Sequence, residues 1–210
     1  MQNHQRTHLF QDPRTQVYPG SYLNYMPVLN KERYAPISVQ GVLQRLRYAV
    51  ARNPIVSLGD HIEADTGDVL VLYRGFVKFD ANSPLLSALQ RNRILPDRSG
   101  TLDASLWDTI EGPELSIAEF NMSNGKPLTR DELNRNKLWE ALIPDDAFYG
   151  KFDDLFRHGN LCMGRGRKNY GFQLSLPPAL DVPTMRPLRV TYQDGAVSVT
   201  NYMGLNNAST

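Results

Sequence analysis

The chain has 210 residues, of which 41% are hydrophobic and 21% charged, a composition typical of a globular protein with a sizeable core. Lys and Arg number 23 against 22 for Asp and Glu, so the net charge of +1 excludes a global field that attracts nucleic acid or anionic lipid. The single cysteine, Cys162, excludes an intramolecular disulfide framework.

Residues 1–37 lack the apolar side chains and the periodicity of a core element, yet they are rich in Tyr, Asn, Gln and Pro. Such a segment cannot bury enough apolar area to offset roughly 1–2 kcal/mol of backbone entropy per residue, so we predict an extended arm. Its large side chains are amphipathic and suit the surface of a partner. The candidate partner-binding residues are Tyr18, Tyr22, Tyr25, Met26 and Tyr34.

The first predicted core element is an amphipathic helix that follows Ser38 and ends at Asn53-Pro54. Apolar residues recur in it at helical spacing, and the residue before a proline is biased away from helical backbone. The apolar stripe consists of Val39, Val42, Leu43, Leu46 and Val50.

Residues 55–80 carry the clearest strand signal in the first half of the chain. The run over 69–73 is continuously apolar, which is typical of a strand covered on both faces. Asp65-Thr66-Gly67-Asp68 before this run predicts a turn, and Gly75 after it predicts a bulge or a close backbone approach. We therefore expect a sheet-based core.

Helix signals dominate the middle of the chain, where cap residues and prolines mark the ends of three candidate helices. A short strand is expected over Leu115 to Phe120, and Asn124-Gly125 predicts a turn. The candidate helices run from Ser83-Pro84 to Pro96, from Thr129 to Pro144, and from Asp145 to Phe156.

The C-terminal part returns to strand patterns. Two β-branched, alternating runs over 188–193 and 196–202 flank Asp194-Gly195, which predicts a type I′ hairpin because both turn positions need positive φ. The stretch over 174–187 is rich in proline, so we expect it to run extended over the surface rather than in a central strand. Residues 203–210 form a polar tail.

One cluster of acids with a histidine is a candidate acid–base or metal site. It consists of Asp60, His61, Glu63, Asp65 and Asp68, of which His61, Glu63 and Asp65 would share one face of a strand. No second histidine stands at ligand spacing, and the predicted turn already explains Asp65 and Asp68. We therefore favour a structural role for this cluster.

Two further candidate sites also have simpler interpretations. Asp145-Asp146 with Asp153-Asp154 lack the pattern of a calcium loop and suit a helix N-terminus instead. Cys162 lies between two apolar residues, and a glycine breaks helical register with His158, which favours a buried small hydrophobe over a nucleophile. We predict a protein without catalytic activity, bound metal or cofactor.

The loop over residues 157–172 combines glycines, cations and aromatic residues, a mixture suited to phosphate and bases. It resembles the Gly-rich basic loops of ferredoxin-like RNA-binding proteins in CRISPR effector complexes, and the resemblance covers this loop alone. The alternative is that its cations pair with acids of an adjacent subunit. The candidate nucleic-acid-binding residues are Arg157, Arg165, Arg167, Lys168 and Tyr170.

These patterns predict an α+β fold with a β-rich core, as a small sandwich or barrel, three to four peripheral helices and a C-terminal β-hairpin. The expected organisation is an extended arm over 1–37, one domain over 38–202 and a tail. No stretch reaches the roughly 18 apolar residues that span a bilayer, and no signal segment is expected.

The arm favours a structural function. We expect a subunit of a large multi-protein assembly, a phage virion component of the capsid, neck or tail, that is assembled in the host cytoplasm and binds copies of itself and other subunits. The alternative function is a nucleic-acid-binding subunit that uses the loop over 157–172.

Overall fold

A computed structural model describes eleven parts of the chain. They are residues 27–29, 31–52, 62–80, 100–126, 128–129, 132, 135–143, 170–174, 176, 181–193 and 196–201. In chain order they form α1 (Val39–Arg52), β1 (Ile62–Tyr73), β2 (Phe76–Asp80), a 3-10 helix (Ala104–Thr109), β3 (Glu114–Ser116), α2 (Ile117–Ser123), α3 (Lys137–Leu142), β4 (Tyr170–Gln173), β5 (Thr184–Gln193) and β6 (Ala196–Asn201).

The described strands form one six-stranded sheet in the order β3-β2-β1-β5-β6-β4. Neighbouring strands are antiparallel except β4 and β6, which run parallel. The sheet curls into a half-barrel, so the predicted mixed α+β fold with a sheet-based core is confirmed at this level. Within the described ranges neither a second sheet nor a closed barrel is seen, and β3 and β4 are the edges.

The three α-helices contribute to an apolar core on one face of the sheet. The predicted stripe of α1 is confirmed for Val39, Val42, Leu43 and Leu46, which are all buried against strand residues of this core. Trp139 of α3 packs against Phe172 of β4, with ring centroids 4.7 Å apart. Burial of these side chains is the main favourable contribution to folding.

The turn predicted at Asp65-Thr66-Gly67-Asp68 is wrong. These residues lie inside β1, where the register against β5 shifts between Asp65 and Val69. The Thr66 hydroxyl donates to the Leu188 carbonyl at 2.8 Å, and the Asp68 carboxylate accepts the Val39 backbone N–H at 2.7 Å. The polar side chains therefore satisfy backbone groups of β5 and α1 at a bulge instead of closing a turn.

Proline in β5 contradicts the expected surface path of residues 174–187. Residues 184–187 are buried in β5, and Pro187 lies opposite Val69, at the point where the register of β1 shifts. Proline cannot donate to a strand ladder and is tolerated beside a bulge, where the ladder is already interrupted. The irregularity in β1 thus explains a proline in a central strand.

Gly75 also has a different role from the one predicted. Arg74 and Gly75 form the turn between β1 and β2, with Tyr73 opposite Phe76. Their φ angles are 48° and 85°, the positive values that a two-residue hairpin turn requires. No atom lies within 4 Å of a Cβ built on Gly75, so glycine is required here by its positive φ and not by lack of space for a side chain.

Local capping determines where the elements from β3 to α3 begin and end. The strand expected over 115–120 covers only Glu114–Ser116, because Ser116 and Glu119 form a capping box that starts α2 at Ile117. The Thr129 hydroxyl accepts the Glu132 N–H, and the Glu132 carboxylate accepts the Thr129 N–H, so Thr129 acts as a cap as predicted. The helix expected from Thr129 to Pro144 is nevertheless not continuous. α3 starts after Asn136, whose side chain accepts the backbone N–H groups of Leu138 and Trp139.

Other predicted elements have mixed outcomes. The turn at Asn124-Gly125 is confirmed, with Gly125 at a φ of 74°. β5 and β6 pair antiparallel with Gln193 opposite Ala196, while the turn residues 194–195 lie outside the described residues. The helices expected over 83–96 and 145–156 also lie outside them. No helix in the described part of the chain has the length and apolarity to span a membrane.

We predict that Asp68→Ala lowers the free energy of unfolding by about 1–3 kcal/mol, because it leaves the buried Val39 N–H without its acceptor. Urea denaturation measures this change. Asp108→Ala, at an exposed position of the 3-10 helix, is the control and should change stability by less than about 0.5 kcal/mol. Equal effects of the two variants would contradict the role of Asp68.

We also predict a pH-dependent contribution from Glu119. Its hydrogen bond to Lys137, helped by the backbone and hydroxyl of Ser116, lowers the pKa of Glu119 from 4.5 to about 2. A lowered pKa means that ionised Glu119 stabilises the fold above pH 4.5 and that this contribution fades as the pH falls toward about 2.

Thermal unfolding of Glu119→Gln across this pH range is the test. The variant should melt below the wild type at neutral pH, and the two midpoints should converge in acid. Glu111→Gln, at an exposed position before β3, should follow the wild type at every pH. A constant gap between Glu119→Gln and the wild type would contradict the prediction.

Candidate functional site

The register of four strands brings two rows of mostly polar residues to one face of the sheet. Residues directly opposite each other in paired strands point to the same side, so each row can be followed from β1 through β5 and β6 to β4. We call these eight residues the polar face: Asp65, Arg189, Thr200 and Gln173 in one row, and Glu63, Thr191, Ser198 and Gly171 in the other.

The alternate residues of the same strands point the other way, into the core. Val190, Val199 and Phe172 form the row between the two polar rows, and all three are buried in the apolar cluster. Tyr192 and Val197 form part of the next core row. The strict alternation separates the residues that stabilise the fold from those of the polar face.

Arg189 links two acids of the polar face. Its Nε donates to Asp65 Oδ1 at 2.9 Å, and its Nη1 donates to Glu63 Oε2 at 2.7 Å. The Arg189 side chain is 16% exposed, so these charge-assisted bonds are partly shielded from water. The three side chains together carry a net charge of −1 at the β1 end of the polar face.

The rest of the polar face offers uncharged hydrogen-bonding groups. Thr191, Ser198 and Thr200 present half-buried hydroxyls, which can donate and accept, and Gln173 at the edge strand is exposed. Gly171 ends its row without a side chain. The polar face can thus bind a polar partner through hydrogen bonds. Glu63, Asp65 and Arg189, which we call the acidic corner, can add an attraction for positive charge.

The outer edge of β4 is held by the turn after α2. The Asn124 side chain donates from Nδ2 to the Leu174 carbonyl at 2.7 Å and accepts from the Leu174 N–H at 2.9 Å. The Gly125 N–H donates to the Phe172 carbonyl at 2.7 Å. These three bonds replace a neighbouring strand and fix the end of β4 that carries Gln173.

Of the predicted partner-binding residues, the structure describes Tyr34. It is 43% exposed, and its backbone N–H donates to the carbonyl of Leu29, which is buried. Tyr18, Tyr22, Tyr25 and Met26 lie outside the described residues. The part of the arm nearest the domain therefore contacts the protein, while Tyr34 leaves an aromatic side chain accessible.

The predicted nucleic-acid residues are described only at Tyr170. Its backbone begins β4 opposite Val197, in the row that ends with Tyr192 and Ile62. The chain therefore enters β4 and β1 at the same end of the sheet. Arg157, Arg165, Arg167 and Lys168 lie outside the described residues.

Of the three described acids in the predicted cluster, two lie together and the third lies elsewhere. Glu63 and Asp65 do share a face, as expected, and both bind Arg189. Asp68 binds the start of α1 instead. Asp60, His61, the acids over 145–154, His158 and Cys162 lie outside the described residues. The described ranges hold no group of three or more His, Cys, Asp and Glu that could bind a metal ion.

Sequence reasoning missed Arg189 and the polar residues of β5, β6 and β4 as a site. The alternation in the runs over 188–193 and 196–201 was a usable signal for a polar face. What it could not supply was the pairing of β5 with β1 and of β6 with β4, which assembles the rows.

Comparison with known proteins gives information on the fold. No family model and no curated protein matches this chain. A solved structure described as "Accommodation of massive sequence variation in Nanoarchaeota by the C-type lectin fold" is similar, with a TM-score of 0.61 and 14% sequence identity. The match covers 92% of this chain and 95% of that chain. This chain shares the fold of that structure, which its description calls the C-type lectin fold. At 14% sequence identity, this similarity supports a shared fold and not a shared function.

We predict that Arg189→Gln lowers the free energy of unfolding by about 1–2 kcal/mol, since the two partly exposed carboxylates lose their charged donor. Asp65→Asn should cost less in the Arg189→Gln background than in the wild type, with a coupling energy of about 0.5–1.5 kcal/mol.

Urea denaturation of the double-mutant cycle measures the coupling. Lys137→Gln, which lies on α3 outside the polar face, is the control and should add independently to Arg189→Gln. Strict additivity of Arg189→Gln and Asp65→Asn would contradict the ion-pair assignment.

Proposed function

We propose that this protein is a structural subunit that uses the C-type lectin fold as a scaffold for binding other macromolecules. The observation that carries the proposal is the polar face. Four paired strands hold its eight positions, and the residues between the two rows face the apolar core. A partner can therefore be recognised on one side of the sheet while the other side maintains the fold.

Tolerance to substitution supports a recognition role. Changes at surface positions away from caps, buried bonds and special backbone angles usually alter stability by less than about 0.5 kcal/mol. Gln173, which is exposed on the edge strand, occupies a position of this kind. The similar solved structure is described as a case in which this fold accommodates massive sequence variation in Nanoarchaeota. We extend that property to the polar face of this chain.

We further propose that the subunit belongs to a large assembly, a phage virion component of the capsid, neck or tail. The Tyr-rich arm supports this proposal, because aromatic side chains are enriched at protein interfaces and Tyr34 is accessible. In this proposal the arm docks on neighbouring copies, and the segments over 83–96 and 145–156 complete the set of peripheral helices.

Binding of nucleic acid through residues 157–172 is the alternative. The acidic corner of Glu63, Asp65 and Arg189 does not favour an extension of such a site to the β1 end of the polar face, since a net negative charge there repels phosphates. A protein interface that pairs the cations of this loop with acids agrees better with that charge.

The test is the native mass of the full chain and three variants, measured by size-exclusion chromatography with light scattering. The full chain should form a homo-oligomer. Deletion of residues 1–26 should give a folded monomer, because it removes arm residues and keeps Leu29, which is buried. Ser198→Arg places a bulky charge in the polar face and should weaken assembly about tenfold or more without unfolding.

Gln44→Arg is the matched control, since Gln44 is exposed on α1, away from the polar face. It should assemble like the wild type. A full chain that stays monomeric at all concentrations, or normal assembly of Ser198→Arg, would overturn the proposal. Binding of single-stranded oligonucleotide that falls steeply with salt would support the alternative instead.

A further inference from the structure

Asn124-Gly125 combines a structural contact with a chemically reactive sequence. Its three hydrogen bonds to Phe172 and Leu174 hold the outer edge of β4. In unfolded peptides, an asparagine before glycine is prone to deamidation, because glycine has no Cβ to hinder approach of its backbone nitrogen to the asparagine side chain. The same two residues therefore support β4 and offer a site of modification.

The reaction needs only the chain and water. The Gly125 backbone nitrogen loses its proton and attacks Cγ of Asn124, forming a C–N bond. The Cγ–Nδ2 bond breaks, and ammonia leaves with the proton. Water then opens the resulting succinimide at one of its two carbonyls, which gives either an ordinary aspartate or an isoaspartyl linkage in place of Asn124.

The folded geometry opposes the first step. The Gly125 N–H is engaged with the Phe172 carbonyl, so its nitrogen is not available as a nucleophile. Both ends of the Asn124 amide are bonded to Leu174, which holds the side chain away from its own backbone. Deamidation therefore requires that the turn first opens from β4.

We propose that Asn124 is a deamidation site whose reaction irreversibly releases the outer edge of β4. Aspartate keeps an acceptor for the Leu174 N–H but loses the donor to the Leu174 carbonyl, and it places a charge against that oxygen. An isoaspartyl linkage adds one backbone carbon and moves the Gly125 N–H away from Phe172. In both products β4 is loosened, together with Gln173 on the polar face.

The first measurement compares deamidation rates in folded and urea-unfolded protein, incubated side by side in mildly alkaline buffer. Peptide mapping by mass spectrometry reports the product at position 124. The folded protein should react at least about tenfold more slowly, since the turn must open first. Equal rates would overturn the proposed protection.

The second measurement compares Asn124→Asp with Asn121→Asp by hydrogen exchange. Asn121 is exposed on α2, so its variant introduces the same charge without touching β4. Amide exchange of the peptide covering residues 170–174 should accelerate about tenfold or more in Asn124→Asp and not in Asn121→Asp. Unchanged exchange in Asn124→Asp would overturn the release.

Asn124→Ala separates the lost bonds from the added charge, and it should accelerate exchange over the same peptide. If either Asn124 variant exposes all strands rather than β4, the release is global and the proposal is wrong. The proposal does not depend on the recognition role of the polar face. Loss of assembly by Ser198→Arg and release of β4 by Asn124→Asp are measured independently.

Discussion

The buried carboxylate of Asp68 joins the helix layer to the sheet. It accepts the first N–H of α1 from within β1, at a point where the five residues of β1 from Asp65 to Val69 lie opposite the three residues of β5 from Arg189 to Pro187. Because the excess is two residues, the alternation of side chains resumes in phase after the bulge. The bulge therefore provides the acceptor for α1 and accommodates Pro187, while the core face of β1 stays on the same side of the sheet.

The two halves of the central strands consequently serve different purposes. Before the bulge, β1 presents Glu63 and Asp65 beside Arg189 on the polar face. After it, β1 presents Val69, Val71 and Tyr73 on the same face, and all three are buried. Tyr73 packs edge-on against Trp107 of the 3-10 helix at 5.5 Å, and the Lys78 ammonium lies 4.6 Å from the Trp107 ring. The polar part of this face thus lies before the bulge and its buried part lies after it, while the apolar core covers the opposite face on both sides of the bulge. This division supports the proposal that the polar face serves recognition.

Features with a local cause could be predicted from the sequence. The apolar stripe of α1 and the Asn124-Gly125 turn depend on residues a few positions apart, and both were predicted. The turn chemistry at residues 65–68 was recognised but misassigned, because the partners of Thr66 and Asp68 are Leu188 and Val39, at separations of 122 and 29 residues. The polar face could not be predicted for the same reason. Glu63 and Asp65 were predicted to share a face, but their partner Arg189 lies 124 or more residues away in the sequence. Propensity and spacing carry no information about such pairings.

The parallel pairing of β4 with β6 sets an order of events during synthesis. β4 emerges from the ribosome before β5 and β6, yet the strand that it must join is made last, and β1 waits for β5 across more than a hundred residues. Most of the chain therefore exists before the sheet can be completed, and until then β1 is paired with β2 on one side alone. The edge of β1 that faces β5 then stays open until β5 is made, and the high sequence separation of these contacts favours slow folding.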